Sequence, residues 1–125
     1  MSENNELEKE VKPEASEQES LVIAIVNKGM TDLVMSAARK AGARGGTIAP
    51  ARGTADQEMA SFYGIPLTPE KEMVFVVVLS SERDKVMKQI YDEAGLRTNG
   101  NGIIFSMPIT DSVGINFGQN KNQAK

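Results

Sequence analysis

The 125-residue chain predicts an α+β fold of two strand–helix–strand units in series, and three observations carry that reading. Two continuous apolar runs, Leu21–Val26 (LVIAIV) and Met73–Leu79 (MVFVVVL), have the β-branched composition of buried strands. Each is followed by a segment with helical spacing that closes on a glycine, Gly42 in one case and Gly95 in the other. The two halves also superpose without a gap on a shift of 53 residues. Leu21–Asn27 then falls on Val74–Ser80, Val34 on Met87, Ala37 on Ile90, and Ala41–Arg44 on Ala94–Arg97. The resulting order, β-α-β-β-α-β, is the ferredoxin-like arrangement: a four-stranded antiparallel sheet with two helices on one face.

Each element has its own local warrant. After the first strand, Thr31 and Asp32 supply N-cap chemistry. Leu33, Val34, Ala37, Ala38 and Ala41 then recur at helical spacing. Residues 46–52 read as a second, weaker strand. After the third strand, Ser81 with Asp84 resembles a capping box, and Val86, Ile90 and Ala94 line one helical face. Ile103–Met107 (IIFSM) reads as the fourth strand, with a short extended piece expected at 112–116. The short helices permit right-handed crossovers.

The strand composition makes a further demand. A sheet with one wet face alternates apolar and polar residues, yet neither LVIAIV nor FVVVL alternates. Both faces of the central strands need cover, and two helices cover one. Identical subunits are the simplest source of the rest, and a core this small gains from them. The expectation is a homo-oligomer.

Charge divides the chain into unequal parts. The net charge is −3, but residues 1–20 alone carry −5, and residues 21–125 carry +2. Residues 1–19, rich in Glu and Ser and poor in large apolar side chains, are expected to be a disordered acidic tail. Its role is a solvating leader or an interaction arm. The domain is placed at 20–116, with a long loop at about 53–71, and 117–125 is expected to be a flexible C-terminal tail. A +2 body without a basic cluster argues against nucleic-acid binding. No apolar run reaches the ~20 residues of a membrane span, and the N-terminus lacks a signal-peptide pattern. With no cysteine and no histidine, disulfides, soft-metal sites and the commonest general base are excluded. The chain is expected to be cytoplasmic.

Two segments are candidates for chemistry. Residues 51–72 (ARGTADQEMASFYGIPLTPEKE) show no clear period, and loops of this length inside small domains are usually functional or mobile. Phe62 and Tyr63 either dock on a partner or pack back onto the body or a neighbouring subunit. Asp56, Glu58, Glu70 and Glu72 lie in or near this loop without a nucleophile–base pair, so an enzyme is not expected. The second segment, 95–102 (GLRTNGNG), lets successive backbone amides converge on an anion, although a plain turn has the same composition. Arg97 could add a charge-assisted contact. Arg44 and Arg97 also sit beside helix C-termini, where a cation is favourable in any case.

The order of these elements, with Gly46-Thr47-Ile48, Arg52-Gly53, the long loop, the valine-rich strand and then Gly100-Asn101-Gly102-Ile103-Ile104-Phe105-Ser106-Met107-Pro108-Ile109, resembles the PII signal-transduction family over residues 21–116. The resemblance implies a trimer of ferredoxin-like subunits that binds adenine nucleotides, ADP or ATP, in clefts between subunits. It also implies a long loop that reports the nucleotide state to a target protein, such as an enzyme or a membrane transporter. Carried over by position, Ile25, Thr47 and Val78 would surround the adenine, and Gly53 would begin the loop beside the nucleotide. Gly100 and Gly102 would bring backbone amides to the phosphates. Gln57 would help hold magnesium and 2-oxoglutarate. Arg52 and Arg97 are added as phosphate cations from local chemistry.

The departures are specific. Ile103 stands where the family usually has Lys, Gly114 and Asn116 where it usually has Arg, and Asp56 where an Arg precedes the matched Gln. Each charge-assisted hydrogen bond is worth roughly 1.5–3 kcal/mol, so a triphosphate is expected to bind weakly unless Arg52, Arg97, Lys28 or Arg44 substitutes. Tyr63 lacks the family's modification context. The sequence therefore reads as a PII-like relative with altered ligand preference. Alternatives are an allosteric module for a small anion such as bicarbonate, and a trimeric scaffold.

Overall fold

The computed structural model describes residues 18–54, 57–64, 69–98 and 101–115, and of residues 57, 59 and 60 the backbone alone. The elements run β1 (Glu19–Asn27), α1 (Thr31–Lys40), β2 (Thr47–Arg52), α2 (Gln57–Phe62), β3 (Glu70–Leu79), α3 (Ser80–Glu93) and β4 (Gly102–Ile109). The strands form one antiparallel sheet in the order β2-β3-β1-β4. The two most apolar runs are therefore the two central strands, and the expected β-α-β-β-α-β order is present.

Strand alternation sorts the sheet into two faces. Val22, Ala24 and Val26 of β1 pair with Val76, Val74 and Glu72 of β3. The three β1 residues, with Val74, Val76 and Val78, lie under the helices at no more than 1% exposure. Val34, Met35, Ala37 and Ala38 of α1 and Val86 and Ile90 of α3 complete this core. The alanines Ala37, Ala38, Ala41 and Ala94 keep the helices close to each other and to the sheet. Gly42 and Gly95 follow the two helices with φ of +113° and +75°, a region that favours glycine.

Helix starts differ from the expected caps. The residue before α1 is Met30 and that before α3 is Leu79, and neither helix has a side-chain cap. Thr31 and Asp32 lie inside the first turn of α1, where Asp32 still favours the positive helix end. β3 runs directly into α3, so Ser81 and Asp84 are already helical. Ser80 instead shares a 2.6 Å hydroxyl–hydroxyl hydrogen bond with Ser20, which is buried.

The boundaries shift as well. Glu19, which its composition places in the tail, is the first residue of β1 and is buried, with Ser112 donating to its carboxylate at 2.6 Å. Residues 110–115 carry no strand, so the extended piece expected after β4 is absent there. The loop holds a helix, α2, where the sequence shows no clear period. The tails at 1–17 and 116–125 lie outside the described residues.

At the helix surface, Lys40 on α1 pairs with Glu93 on α3 at 3.1 Å. Asp92 accepts from Lys88 at 2.8 Å and from Arg97 at 2.9 Å. These donors hold both carboxyls below their ordinary values: Lys88 first and Arg97 next for Asp92, Lys40 first and Gln89 next for Glu93. A carboxyl lowered on folding contributes stability above its unfolded pKa, which is lost as pH falls through the folded value. Both groups are exposed, so the contribution is small.

Two outcomes are expected. Ile90→Ala, at a position with no exposure, lowers unfolding free energy by about 2–5 kcal/mol in urea titration. The double variant Asp92→Asn with Glu93→Gln shows a flatter loss of stability below about pH 4.5 than the parent, read from melting temperature across an acid series.

Candidate functional site

The face of the sheet away from the helices is apolar and uncovered within the subunit. Leu21, Ile23 and Ile25 on β1 pair in register with Val77, Phe75 and Met73 on β3, and with Met107, Phe105 and Ile103 on β4. Ile103 and Met107 are 58% and 44% exposed. A contiguous apolar face of this kind marks a contact surface.

At one end of this face lies an open cleft of about 490 Å³, lined by Ile25, Ala51, Arg52, Gly53, Thr54, Lys71, Met73, Gly102 and Ile103. That volume is in the range of small-molecule sites. Its floor comes from cross-strand neighbours: Met73 and Ile103 both lie opposite Ile25, on either side of it. Ala51 and Lys71 form the next rung towards the loop. The floor is apolar and the rim is cationic.

The loop begins at this rim. Gly53 N–H donates to Pro69 O at 2.6 Å, closing the base of the 53–69 segment. A side chain at 53 would approach Lys71 Cε within 3.1 Å, so the glycine leaves room for the lysine stem. Lys71 Nζ in turn donates to Asn27 Oδ1 at 2.5 Å. Lys71 therefore touches the loop base and the end of the central strand together. On the far side of β1, Gly102 has φ +152°, and a Cβ there would stand 2.5 Å from Ile25 O. Only glycine lets β4 begin so close to β1.

Four of the residues selected from sequence meet in this cleft: Ile25, Arg52, Gly53 and Gly102. Three do not. Val78 is 1% exposed on the helix side of the sheet, because residues 74, 76 and 78 alternate to that face. It is core, which corrects its placement beside a ligand. Thr47 shares the open face but sits at the far end of β2, opposite Phe75. Arg97 is held beyond the cleft by Asp92, with its guanidinium 5.7 Å from the Tyr91 ring centre. Asp92 also raises the Arg97 pKa, and the guanidinium serves the end of α3. Gly100 lies outside the described residues, as does the side chain of Gln57.

The sequence reading missed Ala51, Thr54, Lys71 and Met73. The signal for two of them was available: counting back by twos from Val77 through Phe75 puts Met73 and Lys71 on the same face. Phe62 and Tyr63 are 79% and 65% exposed and pack edge-to-face on each other, with ring centres 5.0 Å apart. They do not pack back onto the body of their own subunit. Among the described residues no group of three or more Asp or Glu is placed to hold a metal. Among the same residues no helix is long and apolar enough to cross a membrane.

Gly102→Ala is expected to lower stability by about 1–3 kcal/mol through the backbone clash and the φ penalty. Gly45→Ala, with open space around it, is the matched control and leaves the melting temperature within about a degree of the parent.

The comparisons with known proteins agree with this architecture. The structure of Arabidopsis thaliana PII bound to citrate matches with a TM-score of 0.58 and 26% identity, over 75% of this chain and 77% of that one. A Thermus thermophilus chain described as a putative PII-like signalling protein matches with a TM-score of 0.56 and 15% identity, over 74% and 86%. At that identity the second likeness speaks for the fold alone. No curated protein matches significantly. The family described as nitrogen regulatory protein P-II matches residues 19–119, which span every element from β1 to β4, and the chain belongs to that family of signalling proteins.

Proposed function

We propose that the chain is a PII-type sensor: a homotrimer that binds an adenine nucleotide, ADP or ATP in the family's pattern, in the cleft at the end of its open sheet face. Binding changes the state of the long loop, and the loop in turn changes affinity for a target protein. One observation carries the reading. The cleft that offers an apolar floor and a cationic rim is built partly from the loop's own base, Arg52, Gly53 and Thr54. A ligand seated there bears directly on the Gly53–Pro69 closure.

Ile25, Met73 and Ile103 give the base an apolar surface, and Arg52 and Lys71 give a phosphate its counter-charge. Gly102 permits close approach of the backbone. The mechanism needs only different ligand affinity in two loop states. A tenfold difference between those states corresponds to about 1.4 kcal/mol. The apolar residues Leu21, Phe105 and Met107 support the trimer, because copies of the same sheet bury them. This role is regulatory and calls for no chemical step. The target, such as a transporter or an enzyme, meets the loop at Phe62 and Tyr63.

A second reading, a small carboxylate or bicarbonate as effector, is favoured by the same two cations and by the citrate on the Arabidopsis PII. Calorimetric titration of the oligomer with ATP, ADP, AMP, citrate, 2-oxoglutarate and bicarbonate separates the two. The nucleotide reading predicts adenylate binding in the micromolar range at about one per subunit. Carboxylate binding with no adenylate response at millimolar concentration establishes the second reading instead.

A further inference from the structure

We propose that Lys71 is the head-group cation of the cleft, and that it selects a nucleoside monophosphate over the di- and triphosphate. This rests on the adenine-nucleotide reading above and specifies its ligand.

The argument is one of charge and position. Among the described lining residues the cations are Arg52 and Lys71. Lys71 occupies the open face on the rung next to Met73, beside the apolar floor, so its ammonium stands where a ligand resting on Ile25 and Met73 ends. Asn27 Oδ1 takes one of its three N–H donors, which fixes the ammonium and leaves two for a ligand. Gly53 gives room to the lysine stem.

The supply of positive charge is short. Among the described residues that line the cleft, Arg52 and Lys71 alone carry positive charge. Arg97 is committed to Asp92, outside the cleft. Across β1 from Met73, the lining position on β4 is Ile103, which is apolar. Two cations match a phosphate monoester of about −1.5 to −2 charge at neutral pH. Each further phosphate adds about one negative charge that no other cation among the described lining residues answers. A longer phosphate chain therefore carries charge without a charge-assisted partner among these residues.

The test is calorimetric titration of the full chain with adenosine, AMP, ADP and ATP without magnesium, for the parent, Lys71→Met and Lys71→Arg. The expected ranking in the parent is AMP tighter than ADP, and ADP tighter than ATP. Lys71→Met is expected to weaken AMP about tenfold or more, the loss of one charge-assisted hydrogen bond. It should leave adenosine, which has no head group, within about threefold, and Lys71→Arg should keep most of the AMP affinity. The proposal is overturned if ATP binds as tightly as AMP, or if Lys71→Met binds AMP like the parent. It is also overturned if adenosine and AMP weaken equally, because Lys71 would then merely shape the cleft. Binding of AMP, ADP and ATP with equal affinity leaves the nucleotide reading standing and this proposal wrong, whereas no binding by any adenosine compound overturns both.

Discussion

The structure depends on one constraint: β1 is apolar on both faces, and the chain has helices for one of them. Val22, Ala24 and Val26 look towards α1 and α3 and lie at no more than 1% exposure. Leu21, Ile23 and Ile25 look the other way, into a face flanked by Phe75, Val77, Phe105 and Met107. Burial of apolar area at roughly 25 cal/mol per Å² is the main favourable term available to a domain of this size, and Ile103 and Met107 on this face remain exposed in one subunit. An oligomer is the physical completion of such a sheet, and the family to which the chain belongs provides the context for it.

The cleft is what remains at the end of that open face. The rungs at Leu21 and Ile23 lie in the middle of the sheet, whereas the rung at Ile25 is the last apolar one before Asn27 and Lys71. Apolar floor therefore gives way to polar rim within two residues. The same step is where β2 ends and the long loop begins, so the cleft and the loop base share residues. The Gly53–Pro69 hydrogen bond and the lysine stem over Gly53 make that sharing concrete. The proposed sensor requires contact between the ligand and the loop, and the cleft and the loop base are adjacent with no relay of residues between them.

Much of this was legible in the sequence, and what was not has physical reasons. The non-alternating runs LVIAIV and MVFVVVL mark the central strands, and the 53-residue shift marks the order of elements, because burial and repetition leave direct traces in composition. Caps were less legible. Ser81 and Asp84 carry the local signal of a capping box, but β3 runs straight into α3 and places both inside the helix, where neither caps it. Site residues split along the same line. Ile25 and Gly102 carry motif or backbone signals. Lys71 does not: it is an ordinary lysine between two glutamates until the register of β2, β3 and β1 puts it against Gly53 and Asn27. Val78 misled because it was placed by resemblance, and a position carried over from a family does not reveal which face a residue takes here. Counting from Ile25, across the sheet from Met73, resolves it.

The central claim is that ligand in the cleft tightens or loosens the loop base. Amide hydrogen exchange at Gly53, followed in the oligomer with and without saturating adenylate, reads this directly, because the Gly53 N–H is the donor that closes the loop on Pro69. The account predicts a change in protection at Gly53 on ligand addition, with amides of the helix-covered core, such as Val86 and Ile90, unchanged. Saturable binding with identical exchange at Gly53 would contradict it, and would separate the cleft from the loop.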